Sequence, residues 1–299
     1  MPIVPFNEMM QHAMQRRYAV GYFESWNSDS LLAVADAAES MRSPVLLGFS
    51  GIYIPHPDRI VQERFSALVA FGLDVCRNLS VPANLVFNES PYLEWVHAAI
   101  RYGFGLVMFT DERLTFEEQI SRVKEITNAA HKTSVAVEGE LVALPGLSGD
   151  ITNMPDDLRM TDLSKAFDFV ERTQVDALAV NIGQAHLHGR QELRLNLERL
   201  QILACSLPIP LVLHGASSVN RSDLKEGIRI GIRKINVGSR LKQTYFEALR
   251  KAISQVGMNY NPYEVIGSGM EQDIFTLARL DLQQNVQELM ELFGSAGQA

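Results

Sequence analysis

Side chains that bind metals or transfer protons follow nearly every apolar run of this 299-residue chain. In LVLHGASS (211–218), an apolar run ends in His214, Gly215 and Ser217. The ends of the other runs carry Glu24, Ser50, Asn88, Glu89, Thr110, Asp111, Glu138, Glu140, Asn181, His186, Asn236 and Ser239. Any single Ser or Asn among them is equally well explained as a residue that lines the protein interior or caps a helix. Eight run ends that all carry such residues predict that they meet at one site.

Two imidazoles and several carboxylates at one rim are typical of a divalent metal site, because zinc and its neighbours accept both ligand types. The alternative for His214 is a histidine that only forms hydrogen bonds inside the protein. Spacing alone does not decide between His186 and His188. The other histidines fall in helical or loop segments and are expected at the surface; they are His12, His56, His97 and His131.

Two loops have the composition of a phosphate site. Gly215 and Ser217 follow the seventh run, and Asn236 and Ser239 close the eighth. Backbone N–H groups and a helix N-terminus in such loops face an anion. The alternative is ordinary capping of the following helix by serine.

The runs themselves predict eight buried parallel strands, because they are almost continuously apolar. They cover 19–23, 44–50, 83–87, 105–109, 134–141, 177–183, 209–215 and 232–238. Amphipathic segments between them include 28–42, with Ser28 as a candidate N-cap, and 163–174. The alternation favours a (β/α)8 barrel, with its functional groups at the C-terminal ends of the strands. A doubly wound open sheet is the alternative, but no Gly-x-Gly-x-x-Gly follows the first strand.

Composition sets the remaining limits. The chain is 46% hydrophobic and 21% charged, with a net charge of −8 and two cysteines. We expect one barrel domain over 1–299 with a helical extension around 261–299, and no disulfide framework. Dispersed basic residues argue against nucleic-acid binding, and no apolar run approaches about 18 residues. We therefore expect no membrane partner and a cytoplasmic location.

Several motifs, in order along nearly the whole chain, resemble those of the class II, metal-dependent ketose-bisphosphate aldolases, nearest the tagatose-bisphosphate and fructose-bisphosphate aldolases. YAVGYF resembles the family's YAVGAFN, VEGEL its VEAELG, and ALAVNIGQAH its ALAVAIGTAHG. PLVLHGAS matches the corresponding family motif almost letter for letter. KINVGS corresponds to the family's KINVNT, and FGSAGQA corresponds to its FGSAGKA.

The resemblance implies reversible cleavage of a ketose phosphate to dihydroxyacetone phosphate and an aldehyde, with a zinc ion as Lewis acid. It implies that His186 and His214 are zinc ligands and that Glu140 lies near the metal. A gapless match after strand 6 selects His186 over His188. The residues implied for the phosphate pocket are Gly215, Ser217, Asn236 and Ser239. It also implies a homo-oligomer, a dimer or tetramer, in which the C-terminal helix reaches a neighbour or caps its own barrel.

The chain departs from the family where LHLDHG reads LVFNES (85–90). The family's acid–base aspartate becomes Asn88, which does not titrate near neutral pH. Its third histidine ligand becomes Glu89, which either replaces the ligand or marks the loss of the metal. Glu24, in place of an asparagine, and Asp111 are then the candidates for proton transfer.

Two further departures fall in loops. Ser148 stands where the family's mobile loop carries a glutamate, and Leu187 replaces a glycine and is expected to crowd the phosphate pocket.

Three functions follow as hypotheses. The leading one is a metal-dependent lyase acting on a phosphorylated or acidic keto sugar, with Glu89, His186 and His214 as ligands and Asn88 orienting a hydroxyl. An epimerase or isomerase with the same enediolate chemistry is a close variant. The third is a non-catalytic sugar-phosphate-binding or regulatory homologue, since fold alone does not fix function.

Overall fold

Eight parallel strands form a closed barrel in chain order, with β8 paired back onto β1. The computed structural model describes residues 3–146, 159–186 and 192–299. The strands are β1 (Val20–Ser25), β2 (Val45–Ser50), β3 (Ala83–Ser90), β4 (Leu106–Phe109), β5 (Ala136–Glu140), β6 (Ala177–Ala179), β7 (Leu211–Leu213) and β8 (Ile232–Val237). The predicted (β/α)8 barrel is confirmed, and the doubly wound alternative is wrong.

The helices surround the barrel and close its N-terminal end. They are α1 (Phe6–Arg16), α2 (Ser28–Met41), α3 (Phe65–Asn78), α4 (Leu93–Tyr102), α5 (Phe116–His131), α6 (Leu163–Thr173), α7 (Leu197–Ser206), α8 (Arg221–Ile230), α9 (Ser239–Gln255), α10 (Pro262–Val265) and α11 (Ile274–Leu292). Among the described residues, no helix combines the length and apolarity needed to cross a bilayer.

The N-cap of α2 differs from the prediction. Asn27, not Ser28, caps the helix: its side chain accepts a hydrogen bond from the Ser30 N–H, and the Ser30 hydroxyl accepts one from the Asn27 N–H. This reciprocal pair satisfies two N–H groups that a helix start otherwise leaves unpaired.

The barrel interior changes from apolar to polar along its axis. At the N-terminal end, Phe6, Met9 and Met10 of α1 pack in one cluster with Val20 and Leu46. Alternate strand residues face inward. Near the C-terminal end of the barrel, these inward positions carry polar side chains. The apolar strands therefore position a polar site at one end only.

The C-terminal helix packs against its own barrel. α11 lies on α2 and α9, and Phe293, just after it, stacks on Phe23 of β1 with ring centroids 6.3 Å apart. Of the two arrangements expected for this segment, the described structure contains the one in which it covers its own barrel.

Candidate active site

A cavity of about 260 Å³ opens at the C-terminal end of the barrel. Strands β1, β3, β7 and β8 and the loops after them supply most of its wall. The predicted site residues that line it are Glu24, Asn88, Glu89, His186, His214, Gly215, Ser217, Asn236 and Ser239. Since these residues are far apart in the chain, the barrel brings them together.

His214 lies between two carboxylates at the base of this cavity. Its Nδ1 is 2.7 Å from Glu89 Oε1, and its Nε2 is 2.7 Å from Glu138 Oε1. Burial alone would lower the pKa of His214, but the two carboxylates outweigh burial and raise it. In the same way burial would raise the pKa of Glu89, yet His214 holds it below its usual range.

Beneath His214, a fully buried ion pair forms the base of the site. Lys234 Nζ is 2.7 Å from Glu138 Oε2, and both side chains are 0% exposed. Burial lowers the pKa of Lys234, and Glu138 opposes that shift. Glu138 thus joins the ammonium group of β8 to the imidazole that follows β7.

Two asparagines complete the network. The Asn236 amide oxygen accepts a hydrogen bond from Lys234 Nζ at 2.5 Å, and its amide nitrogen donates to Asn88 Oδ1 at 3.1 Å. Asn88 Nδ2 in turn donates to Glu89 Oε2 at 3.0 Å. Asn88 therefore orients Glu89.

Glu140 faces the same group of charges from β5. Thr110 donates a hydrogen bond to Glu140 Oε2 at 2.9 Å. Burial, together with the neighbouring Glu89 and Glu138, raises the pKa of Glu140, although His214 opposes the shift. Without a cation, Glu140 is the carboxyl of this cluster that most readily holds a proton.

The backbone at Glu89 is unusual. Its φ is 49°, in the left-handed region that is uncommon for non-glycine residues. Among the described residues, Glu89 is the non-glycine residue with positive φ that lies within a strand; the others are Arg17, Arg42, Ser134 and Gln174. The β3–β4 register also shifts between Phe87 and Ser90. This bulge directs Glu89 toward His214.

These residues fit a divalent cation. One ligand atom from each of Glu89, Glu140 and His214 lies within 4.8 Å of the other two. Carboxylate oxygen and imidazole nitrogen are suitable ligands for zinc and related ions. The Glu138 carboxylate on His214 Nε2 also resembles the outer partner that usually orients a metal-binding histidine through its second nitrogen. The donor set and its supporting contacts therefore fit a divalent cation. The group contains three of the four predicted ligands, and the fourth, His186, lines the cavity but is not part of this group.

The two loops that the sequence predicts to bind phosphate lie at the side of the cavity. Gly215 has a φ of 67°, and a Cβ there would lie 3.2 Å from Leu144, so the loop requires glycine. Ser217 Oγ accepts a hydrogen bond from the Arg240 N–H at 3.3 Å, which joins the loop after β7 to the first turn of α9. Ser239, the first residue of α9, lines the same cavity.

Glu24 sits at the cavity wall beside a cation. Lys242 of α9 forms an ion pair with Glu24 Oε1, and the same ammonium lies 4.9 Å from the centroid of the Tyr53 ring. A Cβ at Gly238 would lie 3.0 Å from Glu24 Oε2. The absence of a side chain at position 238 therefore leaves space for the Glu24 carboxylate.

Asn181, Asp111 and Ser50 lie apart from the cluster. The Asn181 side chain accepts a hydrogen bond from the Gly183 N–H at 3.1 Å. Asp111 lines a neighbouring cavity with Glu112 and Lys165, and its carboxylate binds Arg113 at 2.7 Å. Ser50 Oγ accepts hydrogen bonds from the N–H groups of Ile52 and Tyr53, so Ser50 positions the loop that carries Tyr53. The predictions for Ser148, Leu187 and His188 fall outside the described residues.

The sequence indicated Glu138 only as a carboxylate at the end of a run, and it indicated no site role for Tyr22, Lys234 or Lys242. A signal existed for the first three, because each lies two residues before a predicted site residue on the same strand. A period of two places both members of such a pair inside the barrel. Lys242 has no comparable signal, since the pairing with Glu24 spans 218 positions of sequence.

Together, the fold and the site define a (β/α)8 barrel protein with a carboxylate–imidazole cluster at its C-terminal mouth, the usual place of function in such barrels. Within that class, the chain belongs to the class II fructose-bisphosphate aldolase family, whose family model matches residues 4–298.

Similar proteins cover nearly the whole chain. The sulfofructosephosphate aldolase of Alkalicoccus urumqiensis is 31% identical over 291 residues, covering 97% of this chain and 96% of that protein. The fructose-bisphosphate aldolase of Thermus caldophilus is 30% identical over 315 residues, covering 98% of each. The crystal structure of the YdjI aldolase from Escherichia coli K12 matches with a TM-score of 0.80 at 28% identity, covering 99% of both chains.

Proposed function

We propose that this chain is a metal-dependent lyase that cleaves a phosphorylated or otherwise acidic keto sugar by a retro-aldol reaction. The observation that carries the proposal is the convergence of ligand atoms from Glu89, Glu140 and His214 beside a cavity that is also lined by Gly215, Ser217 and Ser239. The names of two relatives, a sulfofructosephosphate aldolase and a fructose-bisphosphate aldolase, support a sugar substrate with anionic groups.

Glu89, Glu140 and His214 would hold the cation, with His186 as the further ligand that the family resemblance implies. His186 lines the same cavity, and its charge contributes to the low pKa of Glu89. A divalent cation in this position supplies Lewis-acid stabilisation of the negative charge that develops on a substrate carbonyl oxygen.

The other residues bind the substrate and move its proton. Backbone donors at Gly215, with the hydroxyls of Ser217 and Ser239, bind an anionic group beside the N-terminus of α9. Asn88 and Asn236 present amides to substrate hydroxyls. Glu24 accepts or returns the proton, because Asn88 has no titratable group and the Glu24 carboxylate lines the cavity.

We also propose that the chain forms a homo-oligomer. Large apolar side chains are exposed in the segment after α9, where Met258 is 98% exposed, Tyr263 86% and Met270 66%. Several exposed large apolar side chains in one short segment make this segment the candidate for a contact between subunits.

The first test is the metal content of the purified protein after exposure to zinc and removal of the excess. We expect close to one zinc ion per chain, and at least a tenfold loss of affinity in Glu89→Ala, because a ligand is removed. Glu94→Ala, an exposed change in the first turn of α4, is the matched control and should retain the metal.

A protein that takes up no metal would contradict the metal-dependent mechanism and support the non-catalytic alternative. Full zinc binding by Glu89→Ala would instead remove Glu89 from the ligand set while leaving the metal-dependent mechanism in place.

A further inference from the structure

The hydroxyl of Tyr22 is a buried polar group with no assigned role. Tyr22 is 1% exposed, and its hydroxyl oxygen has no hydrogen-bond partner among the residues that the structure describes. A buried hydroxyl without a partner is unfavourable, and folded proteins seldom retain one without a reason. Because Tyr22 also lines the cavity of the candidate site, a bound molecule is a natural source of the missing partner.

The position of Tyr22 places this hydroxyl near the reacting groups. Its ring lies against the Lys234 ammonium, with 5.0 Å between Nζ and the ring centroid. Burial, and then the nearby carboxylates of Glu24, Glu89 and Glu138, raise the pKa of Tyr22 well above its usual value. The phenol therefore keeps its proton and acts as a hydrogen-bond donor.

The residue type is also a departure from the family motif. In the alignment of YAVGYF with YAVGAFN, Tyr22 stands where the motif has alanine. The barrel of this chain therefore contains a phenol ring with its hydroxyl group at a position where the motif has only the methyl side chain of alanine. Apolar filling alone would not require the hydroxyl.

We propose that the Tyr22 hydroxyl donates a hydrogen bond to an oxygen of the bound substrate at the deep end of the cavity, beside the metal ligands. This inference rests on the proposed function, which makes that oxygen the carbonyl oxygen of a keto sugar. Negative charge grows on this oxygen during cleavage, so the hydrogen bond strengthens in the transition state. Tyr22 is on this basis a catalytic residue that lowers the barrier.

The test compares Tyr22→Phe with Tyr18→Phe in the zinc-loaded protein. The probe is dihydroxyacetone phosphate, whose exchange of a carbon-bound proton with D₂O is followed by NMR. Tyr22→Phe keeps the ring and its contact with Lys234. We expect kcat for exchange to fall about 100-fold, on the scale of one lost oxyanion donor. KM should rise less than kcat falls, because the same hydrogen bond is weaker in the ground state, and the zinc content should not change.

The same variant should be at least as stable as the wild type. Because an unpartnered buried hydroxyl is removed, we expect Tm to rise by about 2 °C. Tyr18→Phe is the matched control, because the Tyr18 hydroxyl lies 2.9 Å from His12 Nδ1 in an equally buried position. Losing that hydrogen bond should lower Tm and leave exchange unchanged.

A lower Tm for Tyr22→Phe, or exchange equal to that of the wild type, would overturn the proposal. If the wild type does not catalyse exchange, the proposed function fails, and the affinity of each protein for dihydroxyacetone phosphate by calorimetry decides the contact. Binding at least tenfold weaker in Tyr22→Phe would retain the contact, and equal affinity, or binding by neither protein, would overturn it.

Discussion

At the residue scale, the ion pair between Lys234 and Glu138 supports the rest of the site. Both side chains are fully buried, and Glu138 also contacts His214. Such a pair contributes little net stability when intact, because desolvation offsets the attraction. Breaking it is different, since a buried charge is then left without a partner.

We predict that Lys234→Met lowers the free energy of unfolding by about 3–5 kcal/mol, the usual effect of removing one partner of a buried pair. Urea denaturation monitored by circular dichroism measures this change. The double variant Lys234→Met/Glu138→Gln should recover part of the loss, because no unpaired carboxylate remains. Equal stability of Lys234→Met and the wild type would contradict the prediction.

At the element scale, α11 depends on a single carboxylate at its start. Asp273, the N-cap, accepts hydrogen bonds from the N–H groups of Phe275 and Thr276 with one oxygen and from Gly269 with the other. Burial raises the pKa of Asp273, but these donors outweigh it and hold the pKa below the usual value of 3.8. The cap therefore stabilises the folded state while it is ionised.

We predict that Asp273→Ala lowers stability by about 1 kcal/mol at neutral pH. Because the pKa is depressed in the folded state, this contribution is fully present above the unfolded pKa and is lost as the pH falls through the folded pKa. Urea denaturation at pH 7 and at pH 3 measures both effects. The difference between wild type and Asp273→Ala should shrink at pH 3, whereas a difference independent of pH would contradict the role of the charge.

The strands also show how much of the fold the sequence predicts. All eight predicted strands exist, because continuous apolar runs between helical segments are a strong signal for buried parallel strands. Strand ends were less predictable. β3 continues to Ser90, past the predicted end at 87, because its pairing with β4 resumes at Ser90 after the register shift. β6 ends at Ala179, short of the predicted 183.

For the site, residue type and spacing placed most of the predicted residues at one cavity, since strand ends in a barrel converge. The sequence also predicted Asp111 for this site, but in the structure Asp111 lines the neighbouring cavity and its carboxylate binds Arg113, a pairing that depends on local loop geometry. The period of two indicates that Glu138 and Lys234 face the barrel interior. No local pattern indicates that they form an ion pair, because this contact joins β5 to β8.

At the scale of the whole molecule, the two cysteines report on different parts of the fold. Cys76 of α3 is 1% exposed, and burial raises the pKa of its thiol to about 12, whereas Cys205 is exposed. We propose that barrel and C-terminal helices unfold as one unit, so Cys76 should become reactive only when the whole molecule opens.

We predict that an aromatic disulfide reagent modifies one thiol of the native protein within minutes and the second only in denaturant, because the thiolate is the reactive form. Absorbance of the released thiolate measures both. Cys205→Ser should abolish the fast phase. Rapid modification of Cys76 in that variant would show that α3 opens independently of the barrel.

The packing of α1 across the N-terminal end of the barrel determines where small molecules enter and leave the cavity. Phe6, Met9 and Met10 fill that end, and the cavity of the candidate site opens at the other. A molecule that is cleaved in a cavity with one opening must release both fragments through that opening. The fragment nearer the mouth then dissociates first, and the deeper fragment dissociates after it. Under the proposed function, reversal of the reaction would require the two fragments to bind in the opposite order, so a single opening fixes the order of both release and binding.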